Sequence, residues 1–219
     1  WDGKIRLFST ATGEIYVGLL DKITSFCKNY GYDYKFLDNK YFGTPFEVDE
    51  MISMEGVKDY MTSISRHTPR EYQIEGVYDA LKHQRRLLVS PTASGKSLMI
   101  YALVRYYTDR EQRSLVVVPT TSLVEQMYKD FEDYGWDAEL NCHKIYAGRE
   151  KETSCPVTIT TWQSIYKLPR KFFEQFDVVI GDEAHQFKSK SLVNIMTKLH
   201  TAKYRFGFTG TLDGTQTHK

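Results

Sequence analysis

From residue 86 onward the chain alternates between short runs rich in valine and leucine and segments whose apolar positions recur at helical spacing. The strands predicted are 86–89, 115–118, 144–146, 157–160, 178–180 and 204–208; the helices are 96–107, 123–134, a helical stretch around Ser164, and 191–200. A run such as Leu115, Val116, Val117 and Val118 carries no polar alternation, so a strand made from it needs cover on both faces. Strands of that kind interleaved with helices predict an α/β fold, a parallel sheet with helices on both faces. No internal repeat or low-complexity run interrupts the series.

The segment leading into this series, TPREYQIEGV, predicts a helix with Thr68 as N-cap, Pro69 in the first helical position and Glu71 closing a capping box. Ile74, Val77, Tyr78 and Leu81 line one of its faces. The pattern ahead of it differs. A hairpin or meander is expected from 4–8, Gly13 and 15–17, followed by a helix carrying Leu19, Leu20, Ile23, Phe26, Cys27 and Tyr30. Gly31 stops that helix before a strand-like 32–36; a loop over 38–48 and a helix over 51–64 come next. The expected organisation is a small α+β domain over 1–62 and a larger α/β domain over 63–219. A start at Trp1 instead of methionine, and an end at Lys219 soon after a strand-like segment, are what a piece of a longer protein would show.

With 219 residues, 41% of them hydrophobic and 14% aromatic, the chain can bury a sizeable core. Its 29 lysines and arginines balance 28 acids to a formal net charge of +1, so any nucleic-acid contact must be local. Cys27, Cys142 and Cys155 form no CxxC pair and leave one over, which fits packing or surface thiols in a reducing compartment better than a zinc site or a disulfide framework. The longest apolar stretches fall far short of the roughly 20 residues that cross a bilayer, so a soluble, cytoplasmic protein is expected.

In a parallel α/β sheet ligands bind beyond the carboxyl ends of the strands, and polar residues collect there. VSPTASGKS, residues 89–97, stands at the first strand-to-helix junction, with Ser90 where a strict phosphate loop opens on glycine. Taken alone it is either a plain turn or a phosphate cradle. In the cradle, Pro91, Thr92, Ala93, Ser94 and Gly95 wrap the phosphates with the loop's N–H groups, Lys96 reaches the outer phosphates, and the Ser97 hydroxyl ligates Mg²⁺. After the 178–180 strand comes GDEAH, residues 181–185. Asp182 can hold Mg²⁺ through its water shell while Glu183 polarises the water that attacks a γ-phosphate. A helix start whose acids complement the dipole needs only one of them. The two motifs together favour the cradle and imply ATP and Mg²⁺.

These motifs, in this order over 66–212, resemble the superfamily-two helicases and translocases of the DEAH type. The resemblance implies a RecA-like motor domain of the P-loop NTPase class. TPREYQ is similar to the family's adenine-reading segment, which assigns Arg70, Tyr72 and Gln73 to the base. VVVPTTSLVEQ and TITTWQSI resemble the two motifs on the nucleic-acid face, which assigns Pro119, Thr120, Thr121, Thr161, Trp162 and Gln163. FTGTL resembles the element that links hydrolysis to movement, so Thr209 and Thr211, with His185, would relay nucleotide state. WDGKIRLF, the 18–32 region and PTASGKS look most like the recombination helicases of T-even bacteriophages, which implies a DNA partner, with action on branched junctions and forks in recombination and repair. Ala93 and Ser94 stand where many helicases have glycine and another small residue. A motor of this class hydrolyses ATP between two RecA-like domains, the second supplying an arginine; the chain stops before such a domain, so weak nucleotide binding and poor hydrolysis are expected of it alone.

On the residues alone, the threonines and Gln163 are either donors to phosphate or helix caps, and Trp162 either stacks on a base or packs. The basic run Lys82, His83, Gln84, Arg85, Arg86 reads as a solvated helix end. A grip on duplex or a fork arm by Lys4, Arg6, Lys22 and Lys28 follows from the resemblance only. Rival readings are a restriction-type or chromatin-type translocase motor, an RNA helicase, a P-loop kinase and a non-catalytic DNA-binding module.

Overall fold

The computed structural model describes residues 8–35, 48–91, 94–146, 153–185 and 190–210. The chain divides into two compact units, Trp1–Glu47 and Val48–Lys219. The helix expected ahead of a boundary at 62/63 therefore belongs to the second unit, where its Val57 and Met61 are buried in the large core.

In the small unit Phe8 and Ile15 form an isolated antiparallel bridge across a turn in which Gly13, at φ 72°, donates its N–H to Ser9 O. Helix α1 (Leu20–Tyr30) ends where Gly31 takes φ 69° and returns its N–H to Cys27 O, a left-handed stop that glycine adopts without strain. Residues 32–35, expected to be strand-like, are not in a strand. The expected strand at 4–8 and loop at 38–48 fall largely outside the described residues.

The large unit opens with α2 (Met54–Ile64), capped by Ser53 Oγ, which accepts the Gly56 N–H. In α3 (Glu71–His83) the N-cap is Arg70, not Thr68. Gln73, not Glu71, then stands three residues on and accepts the Arg70 N–H at 2.8 Å. There follow β1 (Arg85–Val89), α4 (Lys96–Thr108), β2 (Ser114–Val118), α5 (Thr121–Asp133), α6 (Ala138–Asn141), β3 (Cys142–Ile145) and β4 (Val157–Thr161). The chain continues through α7 (Trp162–Ile165), α8 (Arg170–Phe173), β5 (Val178–Gly181), α9 (Lys190–Lys198) and β6 (Tyr204–Thr209). The alternation matches the sequence pattern. β3 begins two residues earlier than expected, directly after α6, with Cys142 opposite Val157.

Among the described residues every ladder of the sheet is parallel, and the strand order is β1-β6-β5-β2-β4-β3. Alternate residues of β2 feed two cores: Val116 and Val118 pack with Ile159, Ile180 and residues of α3 to α5, while Leu115 and Val117 pack with Val179, Ile165, Phe173 and Leu192. Each such side chain contributes about 1.5–3 kcal/mol on full burial, so β2, buried throughout, anchors both layers. Helix α4 is buried from Leu98 to Val104. Tyr101 is tolerated there because its hydroxyl donates to Ile64 O and accepts from Arg105 Nη1, both at 2.8 Å. Among the described residues no helix is long and apolar enough to cross a membrane.

Candidate nucleotide site and nucleic-acid edge

The strand order places β6 between β1 and β5, so the loop after β1, the acids after β5 and the end of β6 share one stretch of the sheet's carboxyl edge. Ser90 donates its N–H to Thr209 O at 2.8 Å, and Asp182 donates to Val117 O at 2.9 Å. Gly207 permits this closeness: a Cβ there would stand 2.9 Å from both Ala184 Cβ and Leu87 Cδ1.

The loop enters α4 through Gly95 at φ 74°. Lys96 and Ser97 open that helix, so their N–H groups have no intrahelical acceptor and the positive helix end faces the loop. Lys96 Nζ lies 2.8 Å from Glu183 Oε1 and 3.4 Å from Asp182 Oδ1. Burial works to lower the lysine's pKa, but the hydrogen bonds and charges of the two acids outweigh it and hold the ammonium above its ordinary value. Glu183 takes φ 50°, a backbone that costs about 1–2 kcal/mol outside glycine. Its other oxygen, Oε2, meets His185 Nδ1 at 3.3 Å, and the same ring nitrogen lies 3.1 Å from Thr209 Oγ1. Lysine, acids, histidine and the end of β6 thus form one connected set of polar contacts.

Gln73, 4% exposed, donates from Nε2 to Ser94 O at 3.0 Å and Gly95 O at 3.2 Å, while its Oε1 accepts from Arg70. Tyr72 also donates to Ser94 O, at 2.5 Å, and receives a hydrogen bond from Arg70 Nη1 at 3.2 Å. Of the three residues expected at the base, Tyr72 and Gln73 therefore brace the loop at Ser94 and Gly95, and Arg70 holds those two side chains. Beside them a cavity of about 470 Å³ is lined by Tyr72, Gly76, Leu88, Pro91, Ser94 and Met99, a largely apolar wall of the kind that takes a planar base. Ser90, which breaks the strict loop pattern, is buried and hydrogen-bonds across the loop to Ser94 Oγ. Thr92, Ala93 and Thr211 lie outside the described residues.

Farther along the same edge β2 and β4 are neighbours, with Val118 opposite Thr161. Pro119, Thr120 and Thr121 thereby lie beside Thr161, Trp162 and Gln163. Thr120 caps α5 by accepting the Leu123 N–H at 3.3 Å; Thr120, Thr121 and Gln163 are exposed. Thr161 is 3% exposed, its hydroxyl paired with Ser164 Oγ at 2.8 Å, and Trp162 packs on the second core and edge-on to Tyr166. Those two support the edge from beneath. Of the basic run only Lys82 and His83 close α3, with Gln84 at φ 64° in the C-cap; Arg85 and Arg86 open β1, Arg86 paired to Asp79 at 2.8 Å.

Among the described residues no group of three or more histidine, cysteine, aspartate or glutamate side chains could hold a metal ion by itself. A cation at this edge would take ligands from Ser97, from Asp182 through water, and from phosphate oxygens, an all-oxygen set that suits Mg²⁺.

The fold and this edge define a RecA-like domain of the helicase type. Residues 66–214 match the family described as type III restriction enzyme, res subunit, and the chain belongs to it. It is 33% identical over 223 residues to the ATP-dependent DNA helicase UvsW of Enterobacteria phage T4, covering 97% of this chain and 43% of that protein. It is 30% identical over 142 residues to the DNA 3'-5' translocase XPB2 of Sulfurisphaera tokodaii, covering 65% of this chain and 30% of that protein. The crystal structure of the UvsW helicase from bacteriophage T4 aligns with a TM-score of 0.82 at 33% identity, over 97% of this chain and 77% of that chain. The chain spans less than half the length of these curated relatives.

Proposed function

We propose that the chain is the nucleotide-binding portion of an ATP-dependent DNA helicase or translocase that works on branched DNA, migrating junctions and rewinding forks. The observation that carries this reading is Lys96, held 2.8 Å from Glu183 and 3.4 Å from Asp182 at the mouth of the phosphate loop. A largely buried ammonium facing two carboxylates is a phosphate site at rest. On binding ATP, Lys96 exchanges carboxylate for phosphate oxygens, and Glu183 is released to accept a proton from the attacking water. Ser97 and Asp182 would hold Mg²⁺, which would supply charge neutralisation on the phosphates when bound. Arg70, Tyr72 and Gln73 place the base indirectly, through the loop they brace. His185, Thr209 and Thr211 relay the state of the γ-phosphate.

On the neighbouring stretch, Pro119, Thr120, Thr121 and Gln163 hold the sugar–phosphate backbone by uncharged hydrogen bonds and helix N–H groups. That fits a net charge of +1 and a motor that must ignore sequence. The small unit, 1–47, adds a DNA grip, and a second RecA-like domain supplies the transition-state arginine.

The test compares wild type with Glu183→Gln for ATP binding and for single-turnover hydrolysis, with forked, duplex and single-stranded DNA and with RNA. In protein that carries the second RecA-like domain, the variant should bind ATP within about threefold of wild type and lose at least about 10²-fold in hydrolysis, with forked DNA the best stimulant of the wild type. Hydrolysis undiminished in Glu183→Gln, or stimulation by RNA alone, would reject the reading.

A further inference from the structure

The Ser97 hydroxyl meets the Tyr134 hydroxyl at 2.7 Å, across 37 residues of chain. Tyr134 is the C-cap of α5: its N–H donates to Asp130 O at 2.9 Å, and its carbonyl accepts the Arg66 N–H at 3.0 Å. Its ring stands edge-on to His67, centroids 5.4 Å apart, and tilted against Tyr101 at 5.1 Å. Gly135 follows at φ 105°, where a Cβ would lie 3.1 Å from Arg66 Nε. Backbone and ring are fixed on several sides, and the phenol end of this mostly apolar corner is directed at Ser97. A phenol can both donate and accept a hydrogen bond.

A serine oxygen that ligates a cation offers a lone pair and must direct its one proton elsewhere. Asp182, across the cleft, has Oδ1 engaged by Lys96 at 3.4 Å and by the Glu183 N–H at 2.9 Å. We propose that Tyr134 is a positioning residue for the metal: by accepting the Ser97 hydroxyl proton it turns the serine lone pairs toward bound Mg²⁺ and sets the affinity of the site for the cation. The proposal rests on the phosphate-site reading given above. No local pattern marks Tyr134, since the contact joins the first turn of α4 to the last turn of α5.

A fluorescent ADP analogue titrated into the whole chain, with EDTA or with graded Mg²⁺, separates the two readings without measuring turnover. Wild-type binding that tightens with Mg²⁺ is expected; no saturable binding by wild type would overturn both. Tyr134→Phe keeps the ring and its packing. Its affinity in EDTA should match wild type, while the Mg²⁺ concentration for half-maximal tightening rises about fivefold, the worth of one net hydrogen bond. Ser97→Ala should lose more, and adding Tyr134→Phe to it should lose nothing further. An unchanged or stronger Mg²⁺ response in Tyr134→Phe would overturn the proposal while leaving the phosphate site in place. An equal loss of affinity in EDTA would also overturn it, by showing that the phenol serves the fold alone.

Discussion

Replacing Gly95 by alanine probes the fit between α3 and the phosphate loop. Gly95 takes φ 74°, and a Cβ there would stand 2.5 Å from Gln73 Nε2. The left-handed backbone costs alanine about 1 kcal/mol more than glycine. The methyl also pushes the Gln73 amide off the Ser94 and Gly95 carbonyls, two bonds worth about 1 kcal/mol each. The sum is about 2–3 kcal/mol, which lowers the melting temperature of a unit this size by about 8 °C. Urea unfolding followed by circular dichroism should give a lower midpoint at an unchanged slope. In a Gln73→Ala background the bonds and the clash are already gone, so Gly95→Ala should cost only the backbone share, about 1 kcal/mol. Equal costs in the two backgrounds, or a Gly95→Ala chain as stable as wild type, would refute the claim that Gln73 braces the loop.

Gly207→Ala would set a Cβ 2.9 Å from Ala184 Cβ and Leu87 Cδ1. Overpacking of about 1–3 kcal/mol and weaker binding of an ADP analogue are expected together; full affinity at reduced stability would show that the acid loop had not moved. Alkaline pH should destabilise the chain in two stages. Burial holds the Cys142 thiol above its ordinary 9.0, and holds Tyr60, Tyr101, Tyr106, Tyr107 and Tyr134 above 10.0. The unfolded chain releases those protons first, so this share of stability is complete below about pH 9 and falls as pH rises. Urea midpoints should be level from about pH 7 to 8.5, decline near pH 9 in wild type but less in Cys142→Ala, then drop in both above about pH 10. A midpoint that climbs over that range contradicts the burial argument.

The strand–helix series was legible because burial on both faces leaves its mark in composition: β2 has no room for a polar residue between Leu115 and Val118. Boundaries were less so. Thr68–Pro69 spells a helix start, yet the N-cap is Arg70, where Gln73 also reaches Ser94 and Gly95, a contact between distant segments. The apolar face of α2 gives no hint of which unit it packs in. Lys96, Asp182 and Glu183, which the fold brings into contact, could be read from short motifs, since each motif is local in the chain. Ser90 could not, because its value lies in a bond to Ser94 that only the folded loop creates. Tyr134 is one of 16 tyrosines, and its partner is 37 residues away. Thr161 looked available beside Trp162, yet as the last residue of an interior strand it is covered.

β5 and β2 are hydrogen-bonded neighbours from Ser114–Val178 to Val117–Gly181, clamped between two packed layers. Neither strand can slip along the other without breaking the ladder and opening both cores at once. The ends of the two strands, from which the acids and the threonines follow, therefore keep a spacing of one strand step, about 4.8 Å. The sheet is a workbench of fixed width. On the proposed function, news of a lost phosphate would cross it in side chains changing partners along the rim, while the planks beneath stay still.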